Sequence, residues 1–396
     1  MKRYRIKPYA AVLLALILAL SLFAVTGCSN SEPEEEPVEE TVVMNPLTGQ
    51  TEEEGFDANA MNQRVAAFVV ENTADARPQW GMDDPEYSPD IVLQGEVEAG
   101  ITRTLWMYAD YNKLPEIIGP MRSARPPYIK FSELFDSIFI HWGQSSSKGN
   151  YVGANTVFKK DKVDHINQMT FDESIGLYGR DSTRSTSLEH RGILYGSKVP
   201  EAIASKGFRT EPEEYTKLAF DKLGWLVTVK PAETVRVTYS DRASWERTYW
   251  TYDPEDQKYH TANFNNNFER DNLLILYDDT EYIDKYNYHG TGATVTYCNY
   301  ALGGGKGYLC SQGTYKDIEW RVEDGKLVLI DVLATKITQE RAAAEAAEAE
   351  ESGEEAEASE EEEGPVEINA VLYPGKTWIG WISANNGGKV EINDKE

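Results

Sequence analysis

The stretch GPMRSARPPYIKFSELFDSIFIHWG, residues 119–143, sets Arg122 and Arg125 in a short loop fenced by Pro120, Pro126 and Pro127, then runs into an apolar segment ending at His141. Guanidinium forks suit carboxylate or phosphate. A helix predicted from Pro126 would place both arginines just before its N-terminus, where free backbone N–H groups and the helix dipole favour an anion. Arg103, at the start of a neighbouring predicted strand, and the later cluster of Arg180, Arg184 and His190 extend this candidate ligand-binding set. Asp90, Glu96, Glu98 and Asp181 are equally available as internal partners. Two readings therefore stand side by side, an anion-binding groove and a set of structural ion pairs.

Glu96 and Glu98 lie two residues apart in a predicted strand, a spacing that turns both carboxylates to one face. Such a pair suits acid/base work of the kind glycoside cleavage needs; a polar sheet face accounts for it as well. His141 is either a base or ligand contact at a strand end, or a satisfied buried histidine. His-x-His, His-x-x-x-His and Cys-x-x-Cys spacings are absent from the sequence, so neither a transition-metal site nor a cofactor is expected. GGGKG at 303–307 lacks the Ser/Thr and the strand–loop–helix setting of a phosphate loop, and no G-x-S-x-G elbow occurs. The abundant Tyr and Trp, dense around 245–260 and 373–381, offer faces for stacking on sugars but are mainly core material for a β-rich domain.

Two bodies of different character would position these residues. In the first, 58–215, RVAAFVVEN (64–72), DIVLQGEV (90–97), TRTLWMYA (102–109) and DSIFIHWG (136–143) carry the Val, Ile and aromatic content of strands. PPYIKFSELF and VPEAIASKG predict helices, the second closed by Gly207. The second body, 216–338 and 365–392, is almost entirely strand-like with turn signals at short spacing. The fold class expected is α+β, a mixed α/β N-terminal domain followed by a mainly antiparallel β C-terminal domain. Between its strands falls QERAAAEAAEAEESGEEAEASEEEEG, 339–364, an acidic Ala/Glu insertion predicted to be partly helical and solvated.

The N-terminus predicts an address. Lys2, Arg3, Arg5 and Lys7 precede an apolar run, and Val25-Thr26-Gly27-Cys28 ends it in a form that resembles a bacterial lipobox. Residues 1–28 are thus expected to be a lipoprotein signal peptide, with Cys28 lipidated and the chain held by at least two acyl chains to the outer face of the cytoplasmic membrane. Residues 29–57, without lysine or arginine, are expected to form a disordered acidic tether reaching on the order of 90 Å. The net charge is −27. The tether and the insertion account for most of it, so bulk charge gives no reason to expect nucleic-acid binding. Cys298 and Cys310 are placed symmetrically about Gly304, as in a glycine-turned hairpin, and an extracytoplasmic setting permits a disulfide between them.

NPLTG (45–49), ARPQWG (76–81), PDIVLQGEVEAGITR (89–103), IIGPMRSAR (117–125), FDSIFIHWG (135–143), YGRDSTR (178–184), GTYKDIEW and YPGKTWIGWI occur in that order. With them the chain resembles the YerB-like lipoprotein family, defined by paired N- and C-terminal domains of unknown function. The resemblance implies architecture and location rather than an activity. Gln94 stands where the family tends to have glutamate, Ala99-Gly100 where it has Gly-Gly, and Pro126-Pro127 open a helix that usually starts without them. Around EHRGILYG only His190 keeps the family's usual run. The function expected is binding of an anionic or glycan-containing envelope ligand, a cell-wall glycan or anionic polymer. A hydrolase or transferase of envelope polymer using Glu96 or Glu98 is the alternative, and a protein-binding assembly factor a third.

Overall fold

The computed structural model describes residues 43–226, 229–286, 290–352 and 366–393. The signal peptide with Cys28, tether residues 29–42 and insertion residues 353–364 lie outside this set. The described chain is α+β, as expected from sequence.

Its centre is one large mixed sheet. Strand β1 (Ala66–Glu71) pairs antiparallel with β3 (Ile101–Tyr108), which pairs antiparallel with β2 (Ile91–Glu98). On the other side of β2 lies the strand Thr377–Ser383, parallel to it, and beyond that Asn272–Asp278, again parallel. The strands Gly305–Ser311, Thr314–Glu323 and Lys326–Asp331 complete that flank, while Ile138–His141 and His165–Asn167 complete the other. TWIGWIS is buried at every position. A run apolar on both faces is what a parallel strand in mid-sheet requires. The large sheet therefore passes through both 58–215 and 216–392, which form part of one compact unit.

Alternation along the strands sorts the core into two faces. Ala67, Val69, Leu105, Ile379 and Trp381 join the helices Pro126–Glu133 and Ala154–Asp161. Phe68, Val70, Trp106, Trp378 and Ile382 face a five-stranded sheet that contributes Val235, Trp250, Tyr259 and Phe268. Many of the aromatics thus serve as core, although Trp245 stays 71% exposed.

Three sequence expectations are corrected. The segment 43–57 is folded rather than tether: Asn45 Oδ1 accepts the Leu47 N–H at 2.8 Å, Leu47 is fully buried, and Gly375 N–H donates to the Thr48 carbonyl at 2.7 Å. The NPLTG turn satisfies its own backbone and supplies an apolar anchor, which outweighs the acidic composition around it. Gly303–Gly305 does not turn a hairpin. Val295–Tyr300 pairs with Thr280–Lys285, and Gly305–Ser311 pairs with Asn272–Asp278 and Thr314–Glu323. A Cβ on Gly305 or Gly307 would sit 2.5 Å from the Tyr277 or Ile275 carbonyl, so these glycines permit close strand approach instead. Cys298 and Cys310 are consequently both free and buried, in the two opposite core clusters. The helix Val332–Ser352, begun by the Asp331 carboxylate accepting the Ala334 N–H at 2.9 Å, includes the first residues of the Ala/Glu segment.

Leu47→Ala is expected to destabilise the protein by about 2–4 kcal/mol, the usual cost of emptying a buried leucine site. Urea denaturation would check this; a change near zero would return 43–57 to the tether.

Candidate functional site

The arginine loop is held between β1 and the end of Ile138–His141. Arg122 N–H donates to the Val69 carbonyl at 2.9 Å, Trp142 N–H to the Arg122 carbonyl at 3.0 Å, and Ala124 N–H to the Gly143 carbonyl at 3.0 Å. Arg125 is the N-cap of the helix Pro126–Glu133, and prolines occupy its first two positions. They remove two of the N–H donors on which the sequence argument for an anion at this helix end depended. The side chain of Arg125 turns instead to Glu98.

Glu98 is where that loop meets the β2–β3 turn. Arg125 Nε lies 2.8 Å from Glu98 Oε1 and its Nη2 bonds the same oxygen; Arg103 Nη2 lies 3.3 Å from Oε2. Arg103 also donates to the Ser123 carbonyl at 2.6 Å, and Arg125 to that of Ala124 at 2.9 Å. Burial alone would push Glu98 up, but the two guanidinium groups outweigh it and hold the carboxyl below its usual range. Burial, with Arg125 alongside, brings Arg103 down to about 10. Glu98 is thus a weak base that stays ionised.

Glu96 has other partners. It accepts from Gly100 N–H and the Ser240 hydroxyl, both at 2.7 Å, and from the Tyr282 hydroxyl at 2.8 Å. A β-bulge between Glu96 and Glu98 breaks the two-residue alternation, so the expected same-face carboxylate pair does not form.

Arg122 completes the cleft. Its Nε lies 3.4 Å from Glu71 Oε1, and His190 Nδ1 lies 2.9 Å from both Glu71 oxygens. Glu71, Glu98, Arg103, Arg122 and Arg125 line a cleft of about 450 Å³, with Thr73, Thr294 and Thr296 on its walls. Sequence reading missed Glu71. It ends β1 directly opposite Arg103, a cross-strand neighbour that appears only once the register is known.

The other candidates lie apart from this cleft. Arg180 stacks on Trp142, 4.6 Å from the ring centroid, and lines a separate pocket of about 600 Å³ with Phe171 and Tyr178. Arg184 stacks on Trp80 at 3.6 Å and donates to the Ala76 and Pro78 carbonyls. A single groove of five arginines is therefore not what the fold builds, because Arg180 and Arg184 are spent on bracing loops. Asp253, Asp256 and His260 bring three possible metal-ligand atoms within 4.8 Å of one another at an exposed turn, where His260 already pairs with Asp256 at 2.7 Å.

His141 is core. Its Nδ1 lies 2.6 Å from the Gly143 carbonyl, which can only accept, so Nδ1 carries the proton and Nε2 accepts from His165 Nδ1 at 2.9 Å. Burial lowers His141 to about 3 and His165 to about 4. The unfolded chain binds protons at these positions near pH 6.5 and the folded chain does not, so their stabilising effect is present above that pH and is lost as pH falls toward 4. Glu133, pushed up to about 7 by burial, acts in the opposite sense. Comparing melting curves of wild type and a His141→Gln/His165→Gln variant between pH 7 and 4.5 isolates the histidines. Wild type is expected to lose more of its melting temperature across that window.

Residues 47–209 match the family model described as Protein of unknown function (DUF3048) N-terminal domain. The chain is 27% identical over 296 residues to "Putative lipoprotein YerB" of Bacillus subtilis (strain 168), a match covering 72% of this chain and 79% of that protein. The crystal structure of the YerB protein from Bacillus subtilis shares the fold, with a TM-score of 0.62 over 88% of this chain and 99% of that one, at 23% identity. The resemblance carried by the ordered motifs is borne out: the chain is similar to YerB over most of its length, and its residues 47–209 match the DUF3048 N-terminal domain.

Proposed function

We propose that this protein is a lipid-anchored extracytoplasmic binding protein that holds an anionic envelope ligand in the Arg103–Arg122–Arg125 cleft. The similarity to a lipoprotein supports the anchor, with Cys28 as the lipidated residue. The observation that carries the binding reading is the convergence of three guanidinium groups on one cleft. Glu98 takes up two of them; Arg122, part-exposed, meets Glu71 and Glu189 each at 3.4 Å and donates to the Glu189 carbonyl at 3.2 Å, while its Nε has no hydrogen-bond partner among the described residues and keeps capacity for a further acceptor. An arriving carboxylate or phosphate would also offset the burial that depresses Arg103. The weak basicity of Glu98 and the engagement of Glu96 disfavour a hydrolase that uses either as its base.

A glycan component has one specific support, the pocket where Trp142, Phe171 and Tyr178 meet Gln168, Asp172 and Glu173. Aromatic faces beside polar groups suit sugar rings.

The test is co-sedimentation of the full chain, in detergent, with cell-wall sacculi whose anionic polymers are retained or stripped. Arg122→Gln is the informative variant, since Arg103 and Arg125 are bound into a buried pair whose rupture costs the fold. Stripping the polymers and Arg122→Gln are each expected to weaken pelleting about tenfold, in a salt-dependent manner. Equal pelleting of both proteins would sink the cleft reading, and fragments released into the supernatant would make the protein an enzyme.

A further inference from the structure

The register of the central sheet gives the folded body two ends. Ile91, Thr377 and Asn272 are neighbours at the start of three parallel strands. Asn272 faces Ser311, which pairs with Thr314 across a turn. The chain enters the fold at this end, where Gly375 N–H donates to the Thr48 carbonyl at 2.7 Å and Met44 bridges to Thr51. The arginine cleft is at the other end, since Glu71 closes β1 opposite Arg103 and Glu98 closes β2. The eight residues of β2 separate the two ends by roughly 25 Å.

Beside the entry, the turn 221–226 holds two leucines out into water. Leu223 is 79% exposed and Leu226 65%, while Trp225 between them is fully buried. The turn is fixed in that pose. Asp221 N–H donates to the Leu372 carbonyl at 3.0 Å, Asp221 Oδ1 accepts the Leu223 N–H at 2.8 Å, and Trp225 Nε1 donates to Thr314 Oγ1 at 3.1 Å. The entering segment packs against the same turn. Gly49 lies so close to Phe220 that a Cβ there would come within 2.4 Å of the ring. One Glu54 oxygen accepts the Thr51 N–H at 3.0 Å, and the other meets Lys222 Nζ at 3.1 Å. Single exposed leucines are ordinary, but a pinned turn that exposes two keeps an apolar surface ready for a partner.

We propose that this turn is a membrane-contacting wedge: Leu223 and Leu226 enter the outer leaflet of the bilayer that holds the lipid on Cys28, and the body stands with its arginine cleft at the far end. The proposal rests on the lipid anchor proposed above. Position selects a bilayer over a protein partner. Residues 29–42 join Cys28 to a chain that enters the fold beside these leucines, so the bilayer is present at high effective concentration and the contact needs little affinity of its own. The contact is apolar rather than electrostatic. Lys222 and Lys230 are already paired, with Glu54 and Asp317. Glu52, Glu53 and Asp221 are exposed close by, and the cavity of about 910 Å³ at this end carries Asp83, Asp84 and Glu86 as well as Lys222. Anionic headgroups therefore oppose the docking, which sets its lipid preference.

The test reconstitutes the lipidated protein on phosphatidylcholine vesicles, with a nitrobenzoxadiazole label at Leu223→Cys or, as a reference, at Leu188→Cys. Leu188 is exposed next to Glu189, which meets Arg122 at the cleft. Cys298 and Cys310 are buried and stay unlabelled. Doxyl lipid is expected to quench the label at position 223 and to leave the one at 188 bright. Leu226→Asp, at an exposed position that folding tolerates, is expected to lower the quenched fraction about tenfold while the protein still floats with the vesicles. Added phosphatidylglycerol is expected to reduce the quenching. Protein that does not float would remove the anchor, and the docking with it. Floating protein would overturn the wedge and leave the anchor standing if position 223 is not quenched, if 188 is quenched equally, if Leu226→Asp changes nothing, or if phosphatidylglycerol tightens the contact.

Discussion

The strand Thr377–Ser383 sits where water does not reach, so its backbone groups must be satisfied by neighbouring strands. It does this by parallel pairing with β2 on one side and Asn272–Asp278 on the other. Its side chains tie the layers together in the same way. Trp381 packs on Phe131 of the helix that follows the arginine loop, and Trp378 on Trp250 of the second sheet, each with ring centroids 5.3 Å apart. A segment near the end of the chain therefore completes the core begun near residue 66. Neither half can bury its apolar strands alone, and the sheet closes only when its last strand is inserted.

That constraint reaches the arginine cleft through β2. Pairing with Thr377–Ser383 covers Ile91–Gly95 and stops there. Just beyond, the bulge lets Glu98 turn to Arg103 and Arg125 while Glu96 ties the β2–β3 turn to Ser240 and Tyr282. Tyr128 fixes the helix to the same place, its hydroxyl donating toward the carbonyls of Gly95 at 2.9 Å and Arg103 at 2.6 Å. Arginine positions here follow from backbone geometry. The buried carboxylate in turn lets three cations sit close together in a part-dry cleft, which their mutual repulsion would otherwise oppose.

Much of this was legible in the sequence, and what was not failed for identifiable reasons. β1, β2, β3 and the two short proline-led helices follow from local composition, and the arrangement fits that period-2 and capping logic. Strand order does not follow from local pattern. The parallel insertion of TWIGWIS and the separation of Cys298 from Cys310 are long-range choices, and the glycines at 303–307 look the same whether they turn a hairpin or let strands approach. The same limit applies to the site. Arg103, Arg122 and Arg125 converge as a shared polarity suggested. The Glu96–Glu98 pair was lost to a bulge that no residue type announces, and Glu71 entered through a register that only pairing reveals. NPLTG belongs to the family resemblance yet reads as tether, because an acidic neighbourhood masks one buried leucine.

The two cavities differ in how their charge is balanced, and this decides what each can recognise. In the arginine cleft the acids are spent: Glu98 answers Arg103 and Arg125, while Glu71 and Glu189 both meet Arg122 and His190. In the cavity of about 910 Å³ lined by Tyr108, Arg270 and Lys376, the buried carboxylates of Asp90 and Asp271 stand beside both cations. Arg270 and Lys376 make their hydrogen bonds to neutral oxygens, and Asp90 and Asp271 offset their charge. Ion pairs within a protein cost it recognition capacity, and unpaired charges cost it desolvation.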